Sequence, residues 1–251
     1  MNFALILVLL SFVSGLIYLL DVLFWAKKRK PNEQPNRVIE YSRSFFPVFF
    51  IVLLMRSFLV EPFRIPSGSL EPTLLVGDFV AVNKFAYGLR LPVWEKKILP
   101  VSNPETGEIA VFRWPPEPKF DFIKRVIGVS GDHISYHDKV LSVNDKQAKQ
   151  TFAGYTIDES SGKAVTRYSE NLNGTVHDIF IRTDVPAVDF DIVVPEGYSF
   201  MMGDNRDDSA DSRFFGYVPD SNLRGKAFLV WMSWNSKTDS VRWSKIGSII
   251  K

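Results

Sequence analysis

Two long apolar runs dominate the first sixty residues of the chain. Residues 3–20 contain no charged side chain, and a helix of that length spans about 27 Å, close to the ~30 Å hydrocarbon core of a bilayer. Residues 45–60 form a second run that only Arg56 interrupts, near the outer end, where a long side chain reaches the interface. The pattern predicts two membrane-spanning helices, within segments 1–26 and 45–62.

Each run has an alternative interpretation. The first could be a cleaved signal peptide, but such a peptide begins with a basic region, whereas here the basic cluster follows the apolar run. No small-x-small cleavage site comes after it either. The second run is short enough to be a buried or interfacial helix. We favour insertion of both runs into a membrane.

The segment between the two runs is strongly basic. Residues 27–44 contain six basic and two acidic side chains around a polar, proline-containing centre. The positive-inside rule places such a loop in the cytoplasm, so both termini are expected on the opposite side of the membrane. Residues 63–251 would then form an extracytoplasmic domain that is tethered directly to the membrane surface.

Beyond the second run, the pattern changes to short segments rich in β-branched and aromatic residues. Three of them are predicted to be strands, at residues 109–114, 120–129 and 226–234. Two hairpins are also predicted, with turns at Asp138-Lys139 and near Asn173-Gly174. Because no amphipathic helix longer than two turns is evident, we predict a mostly β domain of barrel or sandwich type.

Composition and charge narrow the range of functions. The chain has no cysteine, which excludes disulfides, thiolate metal sites and a cysteine nucleophile. The net charge of +2 is uneven, because residues 1–60 carry +4 and the remainder carries −2. The outer domain therefore lacks the basic surface that nucleic-acid binding requires, and we expect no nucleic-acid partner.

The loop just after the second apolar run is the first segment that suggests chemistry. Its sequence is PSGSLEPTL, beginning at Pro66. Gly68 allows a tight backbone geometry between two serines. Such a turn can expose Ser69 as a nucleophile and direct backbone N–H groups toward an oxyanion. The alternative is an ordinary linking loop of Ser, Gly and Pro residues, which this segment alone does not exclude.

Lys124 lies in a predicted strand between two apolar neighbours on one face, Phe122 and Val126. A free lysine amine is neutral in only about one molecule in a few thousand at pH 7, but burial lowers a lysine pKa by about 3–5 units. The amine could then act as a general base near neutral pH. The alternative is a strand lysine whose ammonium reaches solvent.

Residues 202–213 are dense in charge and contain four aspartates, two arginines and two serines. A Ca²⁺ loop is one interpretation, but the glycine and glutamate spacing of the EF-hand is missing. Two arginines would also compete with a cation for the carboxylates. We therefore predict a hydrogen-bonded ion-pair network that shapes a site, without a metal.

Together these segments resemble the signature boxes of bacterial type I (leader) signal peptidases, which are serine proteases with a Ser/Lys dyad. The resembling stretches are PSGSLEPTLLVGDFVAVNKFAYGLRLP, FDFIKRVIGVSGD and MMGDNRDDSADSRFFGYVP. The two apolar runs and the closing WMSW and RWSKIG segments extend the resemblance to most of the chain, with residues 139–195 least matched. Three boxes together are far more specific than a single motif.

The resemblance implies roles for individual residues. Ser69 matches the nucleophile and Lys124 the general base. Ser67, with the backbone N–H of Ser69, matches the oxyanion hole. Ser209 matches the serine that hydrogen-bonds and orients the lysine amine. The residues that match the supporting polar network are Asp204, Asp211 and Arg213, together with Arg125, which is expected to pair with an aspartate. Those that match shallow pockets for small substrate side chains are Phe63, Ile65, Pro66, Leu70 and Ile123.

One residue departs from the family pattern. The family usually has methionine after the nucleophile, and this chain has Leu70. The two side chains have similar volumes, so a packing change of small cost is expected. The substitution could alter the fit of the substrate residue next to the cut.

The resemblance also implies a membrane-bound endopeptidase that removes signal peptides from exported preproteins. Cleavage is expected after small-x-small motifs, through an acyl-enzyme and without a cofactor. The expected location is the bacterial inner (cytoplasmic) membrane, as a multi-pass protein with its catalytic domain on the periplasmic face. The expected partners are signal peptides and the lipid bilayer, and no oligomeric state is indicated.

Three other functions are compatible with parts of the sequence. A Ser-His-Asp hydrolase would have to use His133, His137 or His177. A penicillin-interacting enzyme would need Ser-x-x-Lys, and no lysine follows Ser69 at that spacing. A non-catalytic scaffold or binding module would have no physical need for Ser69, Lys124 and Ser209 together. A soluble self-cleaving repressor is excluded by the apolar runs.

Overall fold

The computed structural model describes residues 3–29, 34–54, 60–90 and 97–250. The chain divides into two compact units. The first is formed by Met1–Glu61 and Leu89–Leu99, and the second by Pro62–Gly88 and Pro100–Lys251.

Two helices make up most of the first unit. Helix α1, Phe3–Leu20, continues through a π-helical stretch, Asp21–Trp25, and a 3₁₀ turn, Ala26–Lys28. Helix α2, Arg37–Leu54, contains Pro47. The first helix follows the charge-free run closely, as expected for a segment whose apolar side chains surround the helix axis.

The two helices approach each other closely at Gly15. A Cβ atom at this position would lie 2.7 Å from the ring of Phe46, so only glycine leaves room for the ring. The ring of Tyr18 lies beside the same phenylalanine, with 6.2 Å between the ring centroids. Small residues that admit a large neighbour are a common way to pack helices in membranes.

Of the two predicted spans, one is supported by the length and composition of a helix. Within the described ranges, the one helix long and apolar enough to cross a membrane is the 24-residue segment Leu5–Lys28. Helix α2 begins with the charged residues Arg37, Glu40 and Arg43. Its predicted outer end, including Arg56, lies outside the described residues. The two-helix anchor therefore remains a hypothesis.

The described residues contain seventeen strands and a short third helix. The strands are β1 Val60–Arg64, β2 Asp78–Asn83, β3 Leu89–Arg90, β4 Lys97–Leu99, β5 Ile109–Arg113, β6 Asp121–Gly128, β7 His133–His137, β8 Val140–Val143, β9 Lys146–Gln147, β10 Lys149–Ile157, β11 Ala164–Leu172, β12 Thr175–Ile181, β13 Phe190–Val193, β14 Tyr198–Met202, β15 Val218–Pro219, β16 Leu223–Asn235 and β17 Ser240–Val241. Helix α3 is Ser212–Phe215. The prediction of a mostly β domain is confirmed.

The largest sheet has eight strands, in the order β1-β2-β16-β5-β6-β14-β15, with β17 paired to β16. Strand β16 is its organising element, because its thirteen residues pair antiparallel with both β2 and β5. The register of β16 shifts at three places, between Leu223 and Gly225, between Ala227 and Leu229, and between Val230 and Met232. Such bulges bend a strand and increase its twist, and the sheet curls into a half-barrel.

Two smaller sheets cover the stretch of sequence that matched the family least. Strands β10, β11 and β12 form one, and β13, β7, β8 and β9 form the other. Both predicted hairpin turns are confirmed, since Asp138 and Lys139 have φ of 47° and 66°, and Asn173 and Gly174 have 49° and 97°. Two consecutive positive φ angles are typical of the type I′ turn that joins twisted strands.

Strand β6 is buried on both of its faces. Every residue from Ile123 to Gly128 is buried, and the apolar ones belong to three different core clusters. Ile123 packs with the first cluster, Val126 with the third and Ile127 with the second. Any polar side chain in the middle of this strand must therefore be satisfied within the protein.

Candidate active site

Two charged side chains lie in the middle of the buried strand β6. Lys124 is 4% exposed and Arg125 is fully buried, and they extend from opposite faces of the strand. Strand β5 pairs alongside, with Ala110 opposite Lys124. The sheet thus removes both charges from water, and each needs a partner inside the domain.

Ser69 lies on a single 3₁₀ turn, Gly68–Leu70. The turn is closed by a hydrogen bond from the Glu71 N–H to the Gly68 carbonyl, 3.0 Å long. Leu70 follows Ser69 and is buried in the first core cluster, which anchors the turn to the sheet. The hydroxyl of Ser69 then faces the amine of Lys124, whose Nζ donates a hydrogen bond to Ser69 Oγ.

Burial controls the protonation of Lys124. Removal from water lowers the pKa of its ammonium to about 8, while the carboxylates of Asp211 and Asp204 act in the opposite direction. Its Nζ also lies 5.8 Å from the centre of the Phe122 ring. Near neutral pH the lysine therefore supplies a neutral amine far more often than a solvated lysine does.

Ser67 lies at the start of the turn with an extended backbone, and its side chain is exposed. Its Oγ is 3.5 Å from Ser69 Oγ. A hydroxyl at this distance can donate to an oxyanion that forms next to the nucleophile. The structure thus brings Ser67, Ser69 and Lys124 together at one point.

The chain around Gly203 packs directly against the backbone of the Ser69 turn. A Cβ atom at Gly203 would lie 2.3 Å from the carbonyl oxygen of Ser69 and 2.4 Å from Ser209 Oγ. The N–H of Asn205 donates to the same carbonyl oxygen, at 3.1 Å. Only glycine permits this close approach, so the charged loop 202–213 directly supports the turn.

Arg125 and Asp204 form a buried bidentate ion pair. Arg125 Nε and Nη2 each donate to a different carboxylate oxygen of Asp204, both at 2.8 Å, and Nη1 donates to the Gly107 carbonyl at 2.6 Å. Thr73 donates to Asp204 as well. Although burial acts to raise it, the pKa of Asp204 is held low by the Arg125 guanidinium.

Asp211 and Arg213 form a second buried pair. Arg213 donates two hydrogen bonds to Asp211, each 2.8 Å long, and the N–H of Gly203 donates to Asp211 at 3.0 Å. Asp211 also caps the N-terminus of helix α3. The loop is an ion-pair network, and within the described part of the chain no group of three His, Asp or Glu residues could hold a metal.

Ser209 differs from its expected role. Its hydroxyl is buried but makes no hydrogen bond to any described residue, including Lys124. The lysine amine is directed toward Ser69 instead, and Ser209 Oγ lies against the backbone of Gly203. Its position near the site is as the resemblance implies, whereas the predicted hydrogen bond is not formed.

The three histidines do not complete a Ser-His-Asp arrangement. His133 and His137 lie at the two ends of strand β7, where His133 pairs with Asp191 at 2.6 Å and His137 lies 3.8 Å from Asp189. His177 is buried, with its Nε2 3.4 Å from Glu170. Among the described residues, none of the three hydrogen-bonds Ser69.

The predicted pocket residues fall into two groups. Ile65, Leu70 and Ile123 are buried in the first core cluster and can form only the floor of a substrate groove. Phe63 is partly exposed and packs on this cluster, and Pro66 is exposed. The side chains that are free to touch a ligand are therefore Phe63 and Pro66.

Several polar residues of the site were not assigned from the sequence. They are Thr73, which bonds Asp204; Asn205, which bonds the Ser69 turn; the buried pair of Glu170 with Arg206; and the pair of Glu71 with Asp158. Thr73, Asn205 and Arg206 lie within the quoted boxes, so their position in these boxes was an available signal. Asp158 and Glu170 lie in the poorly matched region, where no motif marks them.

Comparisons with known proteins show the family of the chain. The family described as "Signal peptidase, peptidase S26" matches residues 38–234. Signal peptidase I of Pseudomonas fluorescens is 44% identical over 268 residues, and that of Pseudomonas aeruginosa is 44% identical over 271, each covering 93% of both chains. A crystal structure of a signal peptidase I from Enterococcus faecalis V583 aligns with 50% of this chain and 97% of its own, at 25% identity and a TM-score of 0.35.

The Arg125–Asp204 pair gives a test of the supporting network. We expect Arg125→Met to lower the free energy of unfolding by about 3–5 kcal/mol, because Asp204 would be left as a buried, unpaired carboxylate. The measurement is thermal unfolding of the full-length protein in detergent.

A matched control is Arg167→Met. Arg167 also pairs with an aspartate, Asp178, but this pair is on the surface and should contribute only about 0–1 kcal/mol. Equal losses of stability in the two variants would show that the buried pair does not support the fold.

Proposed function

Because the chain belongs to the signal peptidase family of peptidase S26, it is a serine endopeptidase of that class, and we propose that Ser69 and Lys124 are its catalytic dyad. The observation that carries the proposal is the buried hydrogen bond from Lys124 Nζ to Ser69 Oγ. A hydroxyl and an amine in contact away from water are what a serine nucleophile with a lysine base requires.

The proposed reaction begins with proton transfer. Neutral Lys124 takes the proton of the Ser69 hydroxyl while Ser69 Oγ attacks the carbonyl carbon of the scissile peptide bond. The oxyanion that forms accepts hydrogen bonds from the Ser67 hydroxyl and the Ser69 backbone N–H. The lysine, now an ammonium, then donates its proton to the amine of the departing mature protein, leaving an acyl-enzyme on Ser69.

The second half of the reaction uses the same groups. Lys124 removes a proton from a water molecule that attacks the acyl-enzyme, and the acid product leaves as Ser69 regains its proton. These steps need no metal and no cofactor. The base must be neutral at the start of each half, and its burial in strand β6 supports this.

The remaining predicted residues are proposed to support the dyad. The pairs Arg125–Asp204 and Asp211–Arg213 hold the loop that packs on the Ser69 turn. Ser209 lies against Gly203 in the same loop and is proposed to limit the space around the lysine. A site held by several buried hydrogen bonds stays in its reactive geometry without reorganisation.

The groove beside Ser69 suits a substrate with small side chains. Strand β1 ends the order of the main sheet, so an extended peptide can add to its edge. The buried Ile65, Leu70 and Ile123 form an apolar floor close to the backbone, which leaves little depth for side chains. We propose cleavage of signal peptides of secretory preproteins after small-x-small motifs.

The chain is proposed to be anchored by two helices. Segments 1–26 and 45–62 would cross the bacterial inner membrane, and the basic loop 27–44 would face the cytoplasm. The catalytic domain, 63–251, would then face the periplasm, where signal peptides emerge. The helix Leu5–Lys28 and the charge of the following loop support this orientation.

Loss of either member of the dyad should abolish cleavage. We expect wild-type protein in detergent to cut a model preprotein after a small-x-small motif, and Ser69→Ala and Lys124→Ala to lose at least about 1,000-fold in kcat while remaining folded. Cleavage is followed by gel shift, with the new N-terminus sequenced. Persistent cutting by Lys124→Ala would reject the lysine base, and His177→Ala serves as the control for a histidine base.

The pH dependence should report the protonation of Lys124. Because the ammonium cannot accept a proton, the single-turnover acylation rate should fall about tenfold for each pH unit below about 8. A Lys124→Arg variant keeps its charge throughout this range and should be inactive at every pH. A rate that does not change between about pH 6 and about pH 8 would contradict the assignment.

The orientation can be tested by labelling, since the chain contains no cysteine. We expect Lys146→Cys, on strand β9, to react with a membrane-impermeant maleimide in intact spheroplasts. Gln34→Cys, in the basic loop, should react only after the membrane is permeabilised. Reaction of both cysteines in intact spheroplasts would rule out the proposed topology.

A further inference from the structure

A pair of carboxyl groups lies directly behind the Ser69 turn. Glu71 and Asp158 are each 1% exposed, and both lie at the same backbone N–H: that of Ser160 is 3.3 Å from Glu71 Oε2 and 2.9 Å from Asp158 Oδ1. Two carboxyl groups that share one donor in a buried site repel each other when both are ionised, and a proton on one of them allows it to donate to the other. The proposed mechanism does not use this pair.

Asp158 is the member that stays ionised. Its carboxylate accepts hydrogen bonds from the Ser160 N–H at 2.9 Å, the Ser160 hydroxyl at 2.8 Å, the Ser161 hydroxyl at 2.5 Å and Asn205 Nδ2 at 3.1 Å. Burial acts to raise the pKa of Asp158, but these donors and Glu71 hold it well below its usual range.

Glu71 is the member that carries the proton. Burial raises the pKa of Glu71 to about 8, and the neighbouring carboxylate of Asp158 adds to the effect. Within the described part of the chain, the one backbone donor to its carboxyl group is the Ser160 N–H, 3.3 Å from Glu71 Oε2. A pocket of about 270 Å³, lined by Glu71 and residues of the turn, gives solvent a route for proton exchange.

The pair connects two distant parts of the chain to the nucleophile. Glu71 is next to the turn and donates its backbone N–H to the Gly68 carbonyl. Asn205 Nδ2 donates both to Asp158 and to the same Gly68 carbonyl, at 3.2 Å. A Cβ at Gly68 would lie 1.9 Å from Ser160 Oγ, so the β10–β11 connection presses directly on the turn.

The charged groups around the pair do not neutralise it. The charge of Glu159 raises the pKa of Glu71 further. Two cations line the same pocket: Arg242 donates to the Glu159 carboxylate at 3.3 Å, and Lys237 donates to the Glu159 backbone carbonyl. Lys245 donates to the carbonyls of residues 72 and 73. Among the described residues, no lysine or arginine forms an ion pair with Glu71 or Asp158.

We propose that Glu71 and Asp158 are a positioning pair, whose single shared proton holds the Ser69 turn in its reactive geometry. The inference rests on the proposed role of Ser69 as nucleophile. Loss of the proton would place two carboxylates in contact in a buried site and push Glu71 away from Asp158. Because Glu71 is two residues from Ser69, the turn would move with it, and a displacement of about 1 Å can cost a factor of about 100 in rate.

The experiment compares Glu71→Gln, Glu71→Ala and the control Glu159→Gln in the full-length protein, with kcat and KM measured from about pH 6 to about pH 10. Glutamine keeps a donor for Asp158 and cannot ionise. Wild type should lose kcat above about pH 8, and Glu71→Gln should keep its kcat there. Glu71→Ala should lose about 10- to 100-fold in kcat at every pH, with KM nearly unchanged. Glu159→Gln should keep the wild-type kcat at acidic and neutral pH and still lose kcat at alkaline pH, from a slightly lower pH because a carboxylate that raises the pKa of Glu71 is removed.

Thermal unfolding provides a readout that does not depend on cleavage. Since the pKa of Glu71 is raised in the folded state, its contribution to stability is present at acidic pH and is lost as pH rises through about 8. The unfolding midpoint of wild type should therefore fall relative to that of Glu71→Gln between about pH 5 and about pH 9.

The proposal is overturned if Glu71→Gln loses kcat above about pH 8 as wild type does. It is also overturned if Glu71→Ala has the same kcat as Glu159→Gln. A constant difference in unfolding midpoint across the pH range would also reject it. Failure of the dyad has a different signature, namely cleavage by Lys124→Ala or by Ser69→Ala. If Glu71→Ala does not fold, the pH dependence of kcat in wild type and in Glu71→Gln is sufficient to test the proposal.

Discussion

The whole arrangement depends on the burial of one lysine amine in strand β6. A strand with core on both faces has no place for an ammonium, so Lys124 is pushed toward its neutral form, and the Ser69 hydroxyl is the partner that its amine finds. The pKa of Lys124 is lowered by its burial in the sheet more than by its immediate neighbours, because the nearby carboxylates act to raise it. The reactivity proposed for Ser69 thus depends on the packing of the half-barrel around Lys124.

The same strand explains the density of charge in the loop 202–213. Arg125 is buried on the face opposite to Lys124 and needs an anionic partner, which Asp204 supplies. Once Asp204 is in place, its neighbours Gly203 and Asn205 meet the backbone of Ser69. A buried ion pair contributes little net stability by itself, but it specifies which loop lies against which turn.

The sequence was sufficient for the parts of the site that depend on local pattern. A run of β-branched and aromatic residues predicted β6, and the dipeptides Asp138-Lys139 and Asn173-Gly174 predicted their turns. The boxes around Ser69 and Lys124 drew attention to residues that the fold brings together. The sequence was insufficient where the position of a residue depends on long-range packing. Asp158 lies far from Glu71 in the sequence, in a segment without motifs, and only the fold shows that their carboxyl groups meet. The sequence placed Ser209 near the site. It did not predict the hydrogen bonding of Ser209, because that depends on the rotation of the side chain.

The position of strand β16 has a consequence for the life of the chain. It lies between β2, which follows Ser69, and the pair β5 and β6, of which β6 carries Lys124, and its residues come after both of these positions in the chain. The two halves of the dyad are joined only after residues 223–235 have been synthesised and have paired on both sides. In a nascent copy without this strand, the sheet that joins the Ser69 turn to Lys124 is incomplete, so the proposed dyad is assembled late in synthesis.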